Sequence, residues 1–145
     1  MSGRVARPLA ERVRSRSRIT ESGCWEWDRP VADVGGYGRL FVGSRSDGSR
    51  RLRMAHIVSY EVFVGPVPAG LQIDHLCRNR ACVNPDHLEA VTPRENVLRS
   101  DSPMARQARQ THCKRGHEFT AENTYLNKGK RYCRTCQRAA WEGRL

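Results

Sequence analysis

Residues 74–96 read DHLCRNRACVNPDHLEAVTPREN. Asp74 and His75 open the stretch side by side, Cys77, Cys82 and His87 follow, and Asn96 closes it. Its right-hand end announces a helix. Thr92 stands as N-cap, Pro93 at the first helical position and Glu95 at the third, and Thr-x-x-Glu is a capping box. Asn96 then falls at the end of the first helical turn. To the left, LQIDHLC reads as a strand, CRNRACVNPDH as a polar loop holding the thiols, and HLEAVT as the returning strand. The spacing predicts strand, loop, strand and helix, with a carboxylate, an imidazole and an amide close together.

Working outward, CWEW before this stretch reads as a strand with Trp25 and Trp27 on one face, packed in the core. Gly35, Gly36 and Gly38 mark a turn, GRLFVG a strand, and Asp47-Gly48 a hairpin turn into RRLRM. Ala55 to Val64 fits a helix better than a strand, stopped by Gly65-Pro66. On the far side, 101–111 is polar and Arg-rich, a linker by composition. The expected organisation is a basic arm over 1–20, a main domain over 21–100, the linker over 101–111 and a small module over 112–145. The fold class is α+β.

The chain has 145 residues, a formal charge of +11 and a pI near 10.1, and most of its basic residues are Arg. Such a field favours a polyanion, most simply nucleic acid. Arg39, Arg51, Arg53, Arg78 and Arg80 are all candidates to grip phosphate. The first twenty residues are Arg-rich, without the apolar segment of a secretory signal. No stretch is apolar for long enough to span a bilayer. An intracellular, reducing setting follows as the expectation, and there six Cys point to metal rather than disulfides.

Cysteine spacing divides the chain into two metal sites. Cys77, Cys82 and His87 supply three ligands where zinc wants four in a tetrahedron. The fourth comes from Cys24 or His56. Economy favours Cys24, the one thiol otherwise unpaired, and a packed core role suits His56. Cys113, His117, Cys133 and Cys136 supply four ligands by themselves, with His112 the alternative to His117. Two structural Zn2+ ions are expected, each in a Cys3His set.

The remaining polar residues fit phosphodiester hydrolysis. A divalent cation neutralises the phosphate and stabilises the leaving oxygen. Mg2+ keeps several waters and needs few protein oxygens, so Asp74 and the Asn96 amide suffice; Mn2+ would serve as well. The attacking water must lose a proton, and the imidazole of His75 is suited to take it at neutral pH. Asp74 and His75 point to opposite faces of a strand, so ligand and base are sensible separate roles. Plainer roles stand beside these: His75 as a zinc ligand, Asp74 orienting a neighbour, Asn96 as a surface residue, Asn84-Pro85 as a turn.

The segments CWEW, GYGR, AHIVSYEVFVGPVP, IDHLCRNRACVNPDHLE and TPREN together resemble the phage-type HNH endonucleases of the ββα-metal (His-Me finger) superfamily. The thiols after the His also resemble the zinc site of His-Cys box homing endonucleases. The tail CKRGH…YCRTC looks like a zinc module of some phage members. The resemblance implies a small antiparallel sheet, a ββα-metal core with internal zinc, and a C-terminal zinc ribbon or knuckle. It implies His75 as general base, Asp74 and Asn96 on the catalytic metal, Asn84 bracing the ββ hairpin, and Cys24 as the remote thiol. Although a literal H-N-H would be His75, Asn84 and His87, His87 sits at zinc spacing, which leaves His75, Asn84 and Asn96. The implied activity is metal-dependent cleavage of DNA, most simply double-stranded, with phosphate contacts from the basic arm and tail. The alternative is a non-catalytic zinc-containing DNA-binding regulator. An RNA partner has no aromatic RNA-binding pattern to support it, and oligomeric state has no signal in the sequence.

Overall fold

The structure is a computed structural model that describes residues 7–28 and 35–144. It divides into two compact units, residues 1–96 and 97–145. In the first, α1 (Leu9–Arg14) leads into β1 (Ser17–Ile19), which pairs antiparallel with β2 (Trp25–Trp27). Next, β3 (Arg39–Val42) pairs with β4 (Arg51–Met54), and α2 (Ala55–Phe63) follows directly. Then β5 (Gln72–His75) pairs with β6 (Leu88–Val91), and α3 (Pro93–Arg99) begins two residues later. The second unit holds α4 (Pro103–Arg109), the hairpin β7 (Thr124–Asn127) and β8 (Lys130–Cys133), and α5 (Arg134–Trp141).

The chain is α+β, and its strands form four two-stranded antiparallel ladders among the described residues. A two-stranded ladder is marginal alone, so packing and cross-links must hold each one. In the first unit the core joins Val13, Trp27, Leu40, Val42, Ala55, Val58 and Val83, with Leu9, Trp25 and Phe63 at its edge. Trp25 meets Phe63 edge-on at 5.7 Å. Strand alternation turns Trp25 and Trp27 to the same side, where they pack as core aromatics.

Two sequence expectations are corrected here. The basic arm expected over 1–20 is folded from residue 9 onward: α1 is a helix whose Val13 is wholly buried, and β1 completes a ladder with β2. Leu9 and Val13, one turn apart, give α1 an apolar stripe that its arginines obscure. Residues 1–6 lie outside the described residues. The linker over 101–111 contains α4, capped by Ser102, whose hydroxyl accepts from the Ala105 N–H at 3.2 Å, with Pro103 at the first position. Ala105 is wholly buried.

Elsewhere local signals act as read. The Thr92 hydroxyl accepts from the Glu95 N–H at 3.2 Å, and the Glu95 carboxylate accepts from the Thr92 N–H at 2.9 Å, a closed capping box. Gly38 is needed for space. A Cβ there would stand 2.6 Å from Cγ of Trp27. Gly38→Ala should therefore lower stability by ~1–3 kcal/mol through overpacking, read as a lower denaturant midpoint. An unchanged midpoint would mean that the indole can yield at no cost.

Candidate active site and metal centres

The β5–β6 hairpin sets the side chains of its last residues in alternation. His75 turns toward two aromatic neighbours: its ring centre lies 4.7 Å from that of His56 and 5.9 Å from that of Tyr37. Its Nε2 lies 3.1 Å from the Cys82 carbonyl oxygen. A carbonyl only accepts, so Nε2 carries the proton and the neutral ring has its lone pair on Nδ1. Burial lowers the His75 pKa, opposed by the Cys82 carbonyl and Asp74 and assisted by Arg80. The ring is thus neutral at physiological pH, the state a base requires.

Asp74 is buried, and its Oδ1 accepts the His75 backbone N–H at 2.8 Å. The exposed guanidinium of Arg78 reaches the same oxygen at 3.5 Å. Arg78 adopts φ 59°, the left-handed region uncommon for a residue with a Cβ, in the turn that leaves β5. Of the five candidate phosphate arginines, Arg53 is committed elsewhere, to a two-pronged pair with Glu61 at 2.6 and 2.7 Å. Arg80 reaches the Gly35 carbonyl at 3.2 Å and lies over Tyr37. Arg78 thus stands beside Asp74.

Asn96, half-buried on α3, donates through Nδ2 to Gln72 Oε1 at 3.0 Å. Its Oδ1 is not used in that bond. A cleft of about 480 Å³ is lined by Asn96, Gln72, Ile73, Leu71, His56 and Tyr37, among others. His56, which the sequence offers as a core residue or spare zinc ligand, lies on this wall beside His75. Burial first, and then the neighbouring His75, push its pKa down to about 3. Tyr37 and His56 join His75 only through tertiary packing, and no spacing rule reveals them.

Asn84 takes another place. Its Nδ2 donates to the Gly23 carbonyl at 2.8 Å, and its Oδ1 accepts the Asp86 N–H at 3.1 Å, capping the short 3-10 turn Pro85–His87. Both amide atoms are engaged within the protein. Asn84 ties the β5–β6 loop to the turn before β2, as a positioning residue.

That tie brings Cys24 to the loop. The ligand atoms of Cys24, Cys77, Cys82 and His87 all lie within 4.8 Å of one another, and so do those of Cys113, His117, Cys133 and Cys136. His56 and His75 stand outside the first cluster. His112 stands outside the second, with Nδ1 at 2.9 Å from the Thr111 hydroxyl. A tetrahedral ion with ~2.3 Å bonds to sulfur and ~2.0 Å bonds to nitrogen would place neighbouring S and N atoms ~3.5 Å apart. Here His87 Nδ1 lies 3.5 Å from Cys24 Sγ and 3.6 Å from Cys82 Sγ. In the second cluster His117 Nδ1 lies 3.5, 3.7 and 3.2 Å from the sulfurs of Cys113, Cys133 and Cys136. Both clusters could hold a metal ion, and three thiols with one imidazole suit a soft or borderline one. Burial pushes the Cys82 thiol up to about 12, and burial with the neighbouring thiols pushes Cys136 up to about 11. Such thiols ionise at neutral pH only with a cation beside them.

With this geometry in place, comparison with known proteins gives a class. Residues 53–98 match the family described as HNH endonuclease (HNH_3). This segment, from β4 through most of α3, is an HNH-family domain of phage type, and it contains Asp74, His75, Asn84 and Asn96. Among individual proteins, the chain is 36% identical over 66 residues to the uncharacterized gene 5.3 protein of Enterobacteria phage T3, covering 46% of this chain and 65% of that protein. It is 32% identical over 88 residues to protein 2.8 of Escherichia phage T7, covering 61% and 56%. Protein 7.7 of the same phage is 38% identical over 73 residues, covering 50% and 51%. The chain thus spans between about half and two thirds of the length of these curated relatives. No solved structure matches. Among the described residues no helix is long and apolar enough to cross a membrane.

Proposed function

We propose that this protein is a metal-dependent DNA endonuclease of the HNH class, acting on double-stranded DNA inside the host cell of a phage. The carrying observation is the Asp74-His75 pair at the end of β5, inside the segment that matches the HNH endonuclease family. In this reading the first unit is the nuclease domain on a β5–β6–α3 ββα-metal core, and the second is a zinc module of ribbon or knuckle type. Each Cys3His cluster would hold a structural Zn2+, and the ligands Cys77, Cys82 and His87 would then tie the loop between β5 and β6 to Cys24.

Asp74 and the Asn96 Oδ1 are the residues that would hold a catalytic Mg2+ or Mn2+, which would supply charge neutralisation at the scissile phosphate and the leaving 3′ oxygen. The buried carboxylate, oriented by the His75 N–H, and an amide oxygen are the hard donors such an ion prefers. His75 takes the proton of the attacking water on Nδ1, its Nε2 held by the Cys82 carbonyl. Arg78 sits where it can transfer its guanidinium from Asp74 to a phosphate oxygen as the substrate enters. Asn84 keeps the loop in register.

Plasmid nicking tests this. Supercoiled DNA should be cut with Mg2+ or Mn2+ and left intact with EDTA. Asp74→Ala and Asn96→Ala should each raise the Mg2+ concentration needed for half-maximal rate, with partial rescue by Mn2+. An unchanged metal titration would remove that residue from the ion. DNA binding without any cutting would favour the non-catalytic zinc-containing regulator instead.

A further inference from the structure

We propose that the exposed face of α5 is the surface by which the second unit grips duplex DNA, a step that deepens the nucleic-acid part of the reading above. Along α5, Arg134, Gln137, Arg138 and Trp141 follow at helical spacing and share one face. All four are exposed, Trp141 by 92%. A large aromatic side chain left almost wholly in water is uncommon in a folded protein and marks a surface with a partner.

The character of the face selects that partner. Residues 97–145 hold eleven Lys and Arg against four Asp and Glu, a formal +7 of the chain's +11. No acid lies among the four stripe residues, and Glu142 just beyond pairs with Arg144. Arg134 is set in advance. Its Nε donates to the Thr124 carbonyl at 3.4 Å, its guanidinium lies 5.7 Å from the Tyr125 ring centre, and Tyr125 stacks on Tyr132 at 5.1 Å. A planar guanidinium held this way loses little freedom on taking a phosphate oxygen. The helix is held as well: Cys133 caps it, and Cys133 and Cys136 of its first turn belong to the second thiol cluster. Eight residues alone would be marginal as a helix. One indole among two guanidiniums and an amide offers too little apolar area for a protein interface. A helix does fit the ~12 Å major groove, where Gln is a side chain that reads purine edges. Arg134 and Arg138 contact phosphates, and Gln137 and Trp141 complete the contact from the same face.

The test is fluorescence anisotropy of the full chain, carrying His75→Ala so that the substrate stays whole, on a labelled DNA duplex across a KCl series. Arg134→Ala with Arg138→Ala should flatten the log K against log[salt] slope by ~2, about one per phosphate contact. Trp141→Ala should weaken binding ~10-fold at unchanged slope, as loss of an uncharged contact does. Arg45→Ala with Arg50→Ala, in the β3–β4 turn, should leave the slope alone. Metal content and circular dichroism must match the parent. An unchanged slope in the Arg134/Arg138 variant overturns the proposal, as does an equal fall in the Arg45/Arg50 control. So does tighter binding of the same-sequence RNA duplex, or a self-association lost with Trp141 while DNA affinity stays. Nicking by the unmodified chain is scored separately. Binding through α5 without cutting would fail the nuclease reading alone, and cutting with α5 variants at parental slope would fail this one alone.

Discussion

His75→Ala should lower the rate of DNA cleavage by ~10²–10⁴-fold, the usual contribution of a positioned general base. Three features concentrate the effect on this ring. Burial keeps it neutral. The Cys82 carbonyl fixes Nε2 as the protonated nitrogen and leaves Nδ1 as the acceptor. The neighbouring His56 is buried and cannot hold a proton at neutral pH, so it is no substitute. A structural role for His75 would show differently. Its bond to Cys82 touches the loop that carries the first thiol cluster, so structural failure would release metal and lower the melting temperature. The expected variant keeps its metal content and its affinity for DNA and loses turnover. Retained full activity would remove His75 from the reaction, and loss of a metal ion would make it a brace. Added imidazole restoring part of the rate would single out the missing base.

What the sequence reveals and what it hides follow from the range of the interactions. The capping box at Thr92 and Glu95 closes within four residues, so β6 and α3 can be read from their letters. Cys77, Cys82 and His87 are near neighbours in sequence, and so are Cys113 and His117, or Cys133 and Cys136. The place of Cys24 needs a bridge across the fold, which Asn84 supplies through Gly23. Counting thiols points to Cys24, but no local rule places it. The cluster of Tyr37, His56 and His75 joins a loop, a helix and a strand, and is invisible before the chain folds. Charge hides α1. Arg12 reaches the Phe41 carbonyl and Arg14 lies over Trp25 and Phe63, contacts that no local rule reveals, and the Leu9–Val13 stripe is too thin to separate a core helix from a basic arm. The Ser102-Pro103 start of α4 is a complete cap signal, outweighed in the linker reading by the polarity of the ten residues around it.

Cys82→Ser should cost the first unit its cooperative fold. Cys82 is wholly buried and does more than offer a thiol. Its carbonyl receives His75, its sulfur accepts the Asn84 N–H at 3.4 Å, and its backbone bridges to Glu26 in β2. Two separate two-stranded ladders, β1–β2 and β5–β6, meet at this residue, and neither is stable by itself. A structural zinc contributes ~10–16 kcal/mol of apparent binding energy in small peptides at neutral pH, and a whole domain is stable by only ~5–15 kcal/mol. On the proposed reading a zinc at the core cluster would contribute as much as the total, and losing a ligand at the hub would leave little. Elemental analysis should find two zinc ions per chain in the unmodified protein and one in Cys82→Ser, with the main thermal transition of the variant gone or far lower. Cys133→Ser should also retain one ion, but keep the main transition, because its ligands lie wholly within the second unit. If Cys82→Ser keeps both ions and melts within a few degrees of the parent, Cys82 is not a needed ligand, and the hub role given to it fails; if the unmodified protein carries no ion at the core cluster, packing by the seven buried core residues alone must hold the ladders together.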